Sequence, residues 1–475
     1  MKVKSSEYLK AVKPVLKKLL DKLLSQYPYA SILAVDSTAA DYQVTKSLTN
    51  MREDDLWCSR GFVAKVYDGE TYAEYSFNEI LEEKIDEIAA AIAATEKKLK
   101  TSAGDMPFSR YKALEDEPCV FCESTEYELS PEDMGDGEIL ERLTALKDEC
   151  LAADERVIDG GAIFQYRIYH KLFLSKNRDM EQNVMYAGGA VFAYVKKGQV
   201  VKDAMKAYSN LGGAEIMDKI HDGIKTAIKS AVDQLDSEQI TPGEYDCICC
   251  PEVTGMIAHE AFGHGVEMDM FVKDRALAKS YVGEYVASPL VNMHDGAAVG
   301  DEVASYFFDD DGVEAEDTLI IENGVLKQGI SDTMAAMRLN TVPTGNSRRE
   351  SYRRQAYTRM TNTYFEAGHD KLDDMIASIS DGFLLENATS GMEDPKNWGI
   401  QCLVNMAREI KDGKLTGKIY SPIVLTGYVP DLLKSITMVS DDFELRGSGF
   451  CGKGYKEFVK VSDGGPYIKA KIRLG

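Results

Sequence analysis

Positive charge and histidine are the two things this chain is short of. Its 55 Lys and Arg residues face 78 Asp and Glu, a net charge of −23, and it holds only 6 histidines. So acidic a chain repels a phosphate backbone unless a local basic patch overrides it, which argues against direct nucleic-acid binding. Long apolar runs are missing too: nowhere do ~18 apolar residues follow one another, the length a membrane-spanning helix needs. The opening stretch, MKVKSSEYLKAVKPVLKKLLDKLLSQYPYA, alternates Leu and Val with Lys at helical spacing and has no apolar core of signal-peptide type. No internal repeat or low-complexity tract interrupts the sequence. The 9 cysteines, an odd number spread along the chain without a secretory signal, read as reduced thiols or metal ligands and not as a disulfide framework. The expectation is a cytoplasmic protein without membrane or nucleic-acid partners.

What is present describes a globular chain. At 475 residues, 44% hydrophobic and 28% charged, it is too long for one core of usual size and points to two or three domains. Apolar periodicity predicts a helix over 5–26, strands in ASILAVDS, DYQVTKSLTNM and RGFVAKVYDGETYAEYSF, and a long helix over 78–100. The pattern fades over 101–116. A helix near 133–153, strands in RVIDGGAIFQYRIYHKLFLS and NVMYAGGAVFAYVKKGQ, and a helix over 216–234 follow. The polar segment DSEQITPGEY, with Pro242-Gly243, marks the main boundary. Beyond it come strands joined by turns at Asp311-Gly312 and Asn323-Gly324, a helix over 370–379 and further strands. The expected fold class is α+β. A mixed N-terminal sheet-and-helix domain covers 1–240, with subregions of about 1–104 and 105–240, and a β-rich C-terminal domain covers 241–475.

The chemistry concentrates in YDCICCPEVTGMIAHEAFGHGVEMD, from Tyr245 to Asp269. Tyr245 to Cys250 suits a buried strand, and Pro251 fits the first position of a helix, where its missing N–H costs nothing. On that helix His259-Glu260-Ala261-Phe262-Gly263-His264 is one residue longer than the HExxH of common zinc peptidases, whose histidines at i and i+4 share a face. Positions i and i+5 diverge by about 140° on an α-helix, so both imidazoles reach one ion only if the helix widens or breaks between them. Gly263 is the residue expected to permit it. Glu260 stands where a general base stands in HExxH enzymes. The bland alternative is an amphipathic helix with two satisfied histidines.

Catalytic zinc usually takes three protein ligands, so a third must come from elsewhere. Cys451, in the glycine-rich loop from Arg446 to Gly454, is the best candidate, against the reading of a buried core cysteine in a turn. That loop nearly matches a phosphate-binding P-loop, but Gly454 stands where Ser or Thr should hold Mg²⁺ and the following YKEFVKV reads as strand. Cys119-x-x-Cys122 has no second pair at finger or ribbon spacing, and Cys247, Cys249 and Cys250 read first as small core residues. The Asp309-Asp310-Asp311-Gly312 run fails the calcium-loop pattern and reads as a hairpin turn. The stretch from Ser347 to Arg359 is the one basic, tyrosine-bearing patch, formally a nucleic-acid signature, with a solvated or salt-bridged loop as the bland alternative. Beside a peptidase site its arginines are suited to hold substrate carboxylates or to polarise a carbonyl, and Arg353, Arg359 and Asn362 are the expected substrate-binding residues.

Four stretches together resemble the TldD/PmbA metallopeptidase family: HEAFGHGVE, DDDGVEAEDTLIIENGVLKQGISD, SRRESYRRQAYTRMTNTY and GSGFCGKGYKEF. The resemblance implies zinc as cofactor, held by His259, His264 and Cys451, with Glu260 as catalytic base. It implies a catalytic-type chain that acts on peptides or unfolded protein and pairs as a homodimer or as a heterodimer with a PmbA-like partner. The N-terminal half matches only loosely, through VYDGETYAEYSFN, and the tail after Cys451 departs from the family's apolar-glycine ending. The competing class is a non-catalytic interaction subunit whose zinc is structural, closed by a fourth ligand from Cys247, Cys249 or Cys250.

Overall fold

The computed structural model describes residues 1–53, 58–102, 110–114, 116–447, 449–455 and 457–475. The break expected between the first two subregions, at 104/105, lies outside the described residues, as do Ser448 of the glycine-rich loop and Lys456 just beyond it. Two sheet systems share the work, and the α+β expectation holds: helices gather in the N-terminal half and strands dominate the C-terminal one.

The N-terminal half is an eight-stranded sheet built around the long strand Tyr29–Thr45. That strand pairs with Arg60–Tyr67 on one side and with Val157–Leu174 on the other, Ile32 opposite Leu174 and Tyr42 opposite Phe164. The two expected subregions are therefore joined by continuous backbone pairing in one sheet. Because side chains alternate along a strand, even positions of Tyr29–Thr45 share one face. Ala30, Ile32 and Ala34 pack with Leu16 and Leu19 of helix Glu7–Leu24 and with Ile88 of helix Ile85–Ser102. Tyr42 and Val44 pack with Ile139 and Leu143 of helix Pro131–Ala152 and Ile220 of helix Ile216–Asp233. The odd positions Leu33 and Val35 turn the other way, onto Phe308 and Tyr352 of the C-terminal half.

Polar contacts fasten the two halves along that second face. Gln182 donates to the Phe308 carbonyl at 2.8 Å and accepts from the Phe307 N–H at 2.8 Å, and Lys171 meets Asp310 at 2.5 Å. The acidic run read as a hairpin turn is thus spent on clamping: Asp310 takes Lys171 and Asp311 takes Lys65, while Asp309 accepts from its own loop. Glu302 sits in the same seam, accepting from the Ser209 hydroxyl at 2.8 Å, and burial pushes its carboxyl up to about 7. A carboxyl raised on folding contributes most below its unfolded value, and that contribution is lost as pH rises towards 7. Glu302→Gln keeps the acceptor without the charge, so it leaves stability unchanged at pH 4 and raises it by up to about 3 kcal/mol at pH 8, read as a shift in thermal midpoint.

In the C-terminal half five strands close a ring. Gly243–Cys249 lies between Asp381–Asp394 and Ile468–Leu474, and the circuit runs on through Ile423–Tyr428 and Gly399–Lys411 back to Asp381–Asp394. Beside the ring lies a six-stranded sheet that includes Met293–Gly296, Asn362–Phe365 and Ser462–Gly465. The helical segment leaving Gly243–Cys249 is wedged between the two, and its Val253, Ile257, Ala258, Ala261 and Phe262 belong to one core with residues of both. No helix among the described residues is long and apolar enough to cross a membrane.

Candidate metal centre

The strand Gly243–Cys249 delivers the chain to helix Pro251–Met256, with Pro251 in the first turn as its missing N–H allows. From Ile257 to Gly263 the helix widens into a π-turn, in which the His264 N–H donates to the His259 carbonyl five residues back. That wider turn brings two side chains five apart onto one side, and the imidazole rings lie 5.2 Å apart, nearly perpendicular. Gly263 acts differently from the expectation. Its φ of −58° is ordinary helix, so backbone freedom is not what it supplies. It supplies room: a Cβ there would stand 2.2 Å from the Met360 sulfur and 3.1 Å from the Ala258 carbonyl oxygen. Met360 is buried, so Gly263→Ala should lower stability by about 1–3 kcal/mol and weaken metal retention, and adding Met360→Ala should recover part of both.

Cys451 arrives from the other side, on the strand Phe450–Lys453, which pairs with Glu457–Lys460 in a small hairpin. The hairpin excludes the P-loop geometry, since the strand Glu457–Lys460 stands after the glycines where a P-loop has its helix. His259, His264 and Cys451 each offer a ligand atom within 4.8 Å of the others, and among the described residues they form the one such group of three or more. Cys451 Sγ is 3.4 Å from His264 Nε2. Burial alone pushes the Cys451 thiol up, but the adjacent His264 and His259 outweigh it and bring it well below the usual thiol range. Burial draws His264 down, yet Cys451 and Glu267 hold it well above the ordinary imidazole range. The His259 Nδ1 is buried with no hydrogen-bond partner among the described residues. Two imidazoles and a thiolate are a donor set that suits zinc, and three protein donors leave a coordination position open.

Glu260 stands beside the set, its Oε2 3.9 Å from the same His264 Nε2, and Gly391 on the neighbouring strand packs against its Cγ. The site opens on a cleft of about 550 Å³ lined by Glu260, His264, Glu393, Tyr357 and the Phe450–Lys453 strand. Behind it a polar frame holds His264 in place. The buried Glu267 accepts at 3.2 Å from His264 Nδ1 and pairs with Lys453 at 3.0 Å; burial opposes its charge, but those cations hold its carboxyl down at about 2. Such a contact fixes the ring tautomer that leaves Nε2 free to ligate. Glu267 and Lys453 went unassigned in the sequence; the only signal was the i+3 spacing of Glu267 from His264.

The three expected substrate residues divide. Arg353 is exposed and lines a neighbouring cleft. Arg359 is buried, donating to the Cys451 carbonyl at 2.6 Å and the Glu457 carbonyl at 3.2 Å, so it pins the hairpin that carries Cys451 and does not face the cleft as an oxyanion donor. Asn362 is buried as well, its amide spent on the carbonyls of Gly296 and Val299 and on the Ser305 hydroxyl. Cys247, Cys249 and Cys250 are core thiols that burial pushes up, and they stand outside the donor group. Cys119 and Cys122 lie on the strand Cys119–Ser124 with no further donors grouped around them among the described residues.

Comparison with known proteins defines the class first. Residues 242–472 match the family model for the PmbA/TldA metallopeptidase C-terminal domain. A zinc metalloprotease TldD homolog of Saccharolobus solfataricus is 30% identical over 315 residues, 65% of this chain and 69% of that protein. A metalloprotease of Methanothermobacter thermautotrophicus is 31% identical over 281 residues, 59% of this chain and 61% of its own length. A metalloprotease TldD homolog of Haemophilus influenzae is 33% identical over 246 residues, 52% of this chain and 51% of its own. The chain belongs to the PmbA/TldD family. The matched segment spans between about half and just over two thirds of those relatives. TldE of Thermococcus kodakarensis superposes with a TM-score of 0.74 at 18% identity, covering 97% of this chain and all of that one, which shows a shared fold over the full length. A Thermotoga maritima protein described as a DNA gyrase modulator gives 0.75 at 16% identity, with 97% of this chain and 100% of its own covered.

Proposed function

We propose that the chain is a cytoplasmic zinc-dependent peptidase acting on unfolded or flexible peptides, with Glu260 as general base. The observation that carries this is the convergence on one nitrogen: His264 Nε2 lies 3.4 Å from Cys451 Sγ and 3.9 Å from Glu260 Oε2, at the wall of one cleft. A bound zinc ion supplies Lewis-acid polarisation of the scissile carbonyl and acidifies a water. His259, His264 and Cys451 would hold it. Glu260 takes the proton of the attacking water at its carboxylate and returns it to the leaving amine. Burial holds the Glu260 carboxyl above its ordinary value, with His259 and His264 pulling the other way.

The peptide lies extended along the cleft. Among the described residues the Phe450–Lys453 strand pairs on one side only, with Glu457–Lys460, and its other edge is available for main-chain pairing beside Cys451. The metalloprotease names of the relatives support the reaction class, and the pairing of chains, either two copies or this chain with a PmbA-like partner, is the one the family resemblance implies. The test is cleavage of an unstructured substrate such as casein before chelation, after chelation, and after zinc is restored. Loss and recovery of cleavage supports the reading; a zinc-loaded chain that cuts nothing, alone or with its co-purifying partner, overturns it.

A further inference from the structure

The cleft over the metal centre does not end there. Lys273 and Tyr357, on its wall, also line a second cleft of about 620 Å³ between the N-terminal sheet and the C-terminal half. Four exposed arginines follow this path: Arg275 at the first cleft, and Arg338, Arg353 and Arg354 around the second. They are poorly compensated. Arg275, Arg338 and Arg353 make no ion pair among the described residues, and Arg354 reaches Glu350 and Glu457 only at 3.8 and 3.9 Å. Arg353 leans on Tyr352, and Arg338 lies over the Tyr111 ring.

The carboxylates lining the second cleft are engaged, three of them by cations and Asp332 by hydrogen bonds alone. Asp269 takes Lys453 at 2.7 Å and Lys273 at 3.0 Å, and Glu74 takes Lys65 at 3.1 Å and Arg349 at 3.2 Å. Asp311 is paired with Lys65, and Asp332 caps the helix Thr333–Leu339 and accepts from Thr358. The cleft thus presents uncompensated positive charge in a chain whose net charge is −23. Guanidinium forks with solvent-facing donors are the groups that recognise carboxylates.

We propose that the second cleft is a carboxylate subsite of the substrate path, taking acidic side chains or the terminal carboxylate of the peptide segment on one side of the cleaved bond. This deepens the peptidase reading and rests on it for the identity of the ligand as peptide. The geometry gives the subsite its own readout, because binding needs no turnover.

The experiment measures fluorescence anisotropy of labelled, unstructured peptides of equal length on zinc-loaded Glu260→Gln protein. One peptide is neutral and amidated, one carries a glutamate cluster and is amidated, and one is neutral with a free carboxyl end. At low salt a carboxylate-bearing peptide should bind about tenfold more tightly than the neutral one, with the advantage shrinking as salt rises. Tighter binding of the second peptide identifies side-chain carboxylates, and of the third the terminal one. The combined Arg338→Gln, Arg353→Gln, Arg354→Gln variant should bring the ratio to about one, whereas Lys10→Gln, Lys18→Gln, Lys229→Gln, the same charge change at residues that line neither cleft, should leave most of it. Equal binding of all three peptides, or an equal effect of the two triple variants, overturns the proposal. A wild-type chain that cuts nothing but keeps the preference sinks the peptidase reading alone; cleavage without preference sinks the subsite alone.

Discussion

Glu260→Gln should cut peptide hydrolysis by about 10²–10⁴-fold while the chain keeps its zinc and its fold. The substitution removes a proton acceptor and little else. The carboxylate is not one of the three grouped donors, its nearest cation-capable neighbour is His264 Nε2 at 3.9 Å, and Gly391 packs against its methylene carbon, which glutamine retains. Burial already disfavours the charged form, so the neutral amide costs the fold nothing in desolvation. The check is a paired measurement of zinc content and kcat. Lost activity with zinc retained supports the role; loss of both makes Glu260 a determinant of metal binding and not the base.

Cys451→Ala is the second large effect. It removes the one thiolate of the set and should weaken zinc binding by more than about 100-fold, beyond what loss of an outer hydrogen bond produces. Activity should vanish with the metal. The fold should survive, because the hairpin that carries Cys451 is held by backbone pairing with Glu457–Lys460 and by Arg359, which grips the Cys451 carbonyl and not its side chain. Zinc per chain after dialysis, set beside the thermal midpoint of the metal-free protein, separates ligand loss from unfolding. An alanine variant that retains a full equivalent of zinc removes Cys451 from the ligand set.

The two sheet-and-helix halves could be read from alternation and helical periodicity, since helix 216–234 and strand Tyr245 to Cys250 declare themselves by local pattern. What local pattern cannot carry is pairing. The partners Ile32 and Leu174 are far apart in sequence, so two subregions were expected where one sheet runs through both. At the site, the i, i+5 spacing of His259 and His264 required a widened helix, and a π-turn is there. The reason for Gly263 lay in Met360, a contact between distant segments that no local rule shows. Arg359 and Asn362 look like cleft residues in a polar stretch, but burial of their donors against backbone carbonyls is a tertiary fact. Glu267 and Lys453 were missed for the same reason: they become a frame for His264 only once the hairpin docks against the helix.

The central claim is an open metal site with three protein donors, and cobalt(II) substitution tests it most directly. The account predicts one cobalt per chain, a single-thiolate charge-transfer band that disappears in Cys451→Ala, and ligand-field bands that shift when a peptide hydroxamate is added. Bands typical of two or more thiolates that stay unmoved by the hydroxamate would contradict it, and would mean a closed structural site.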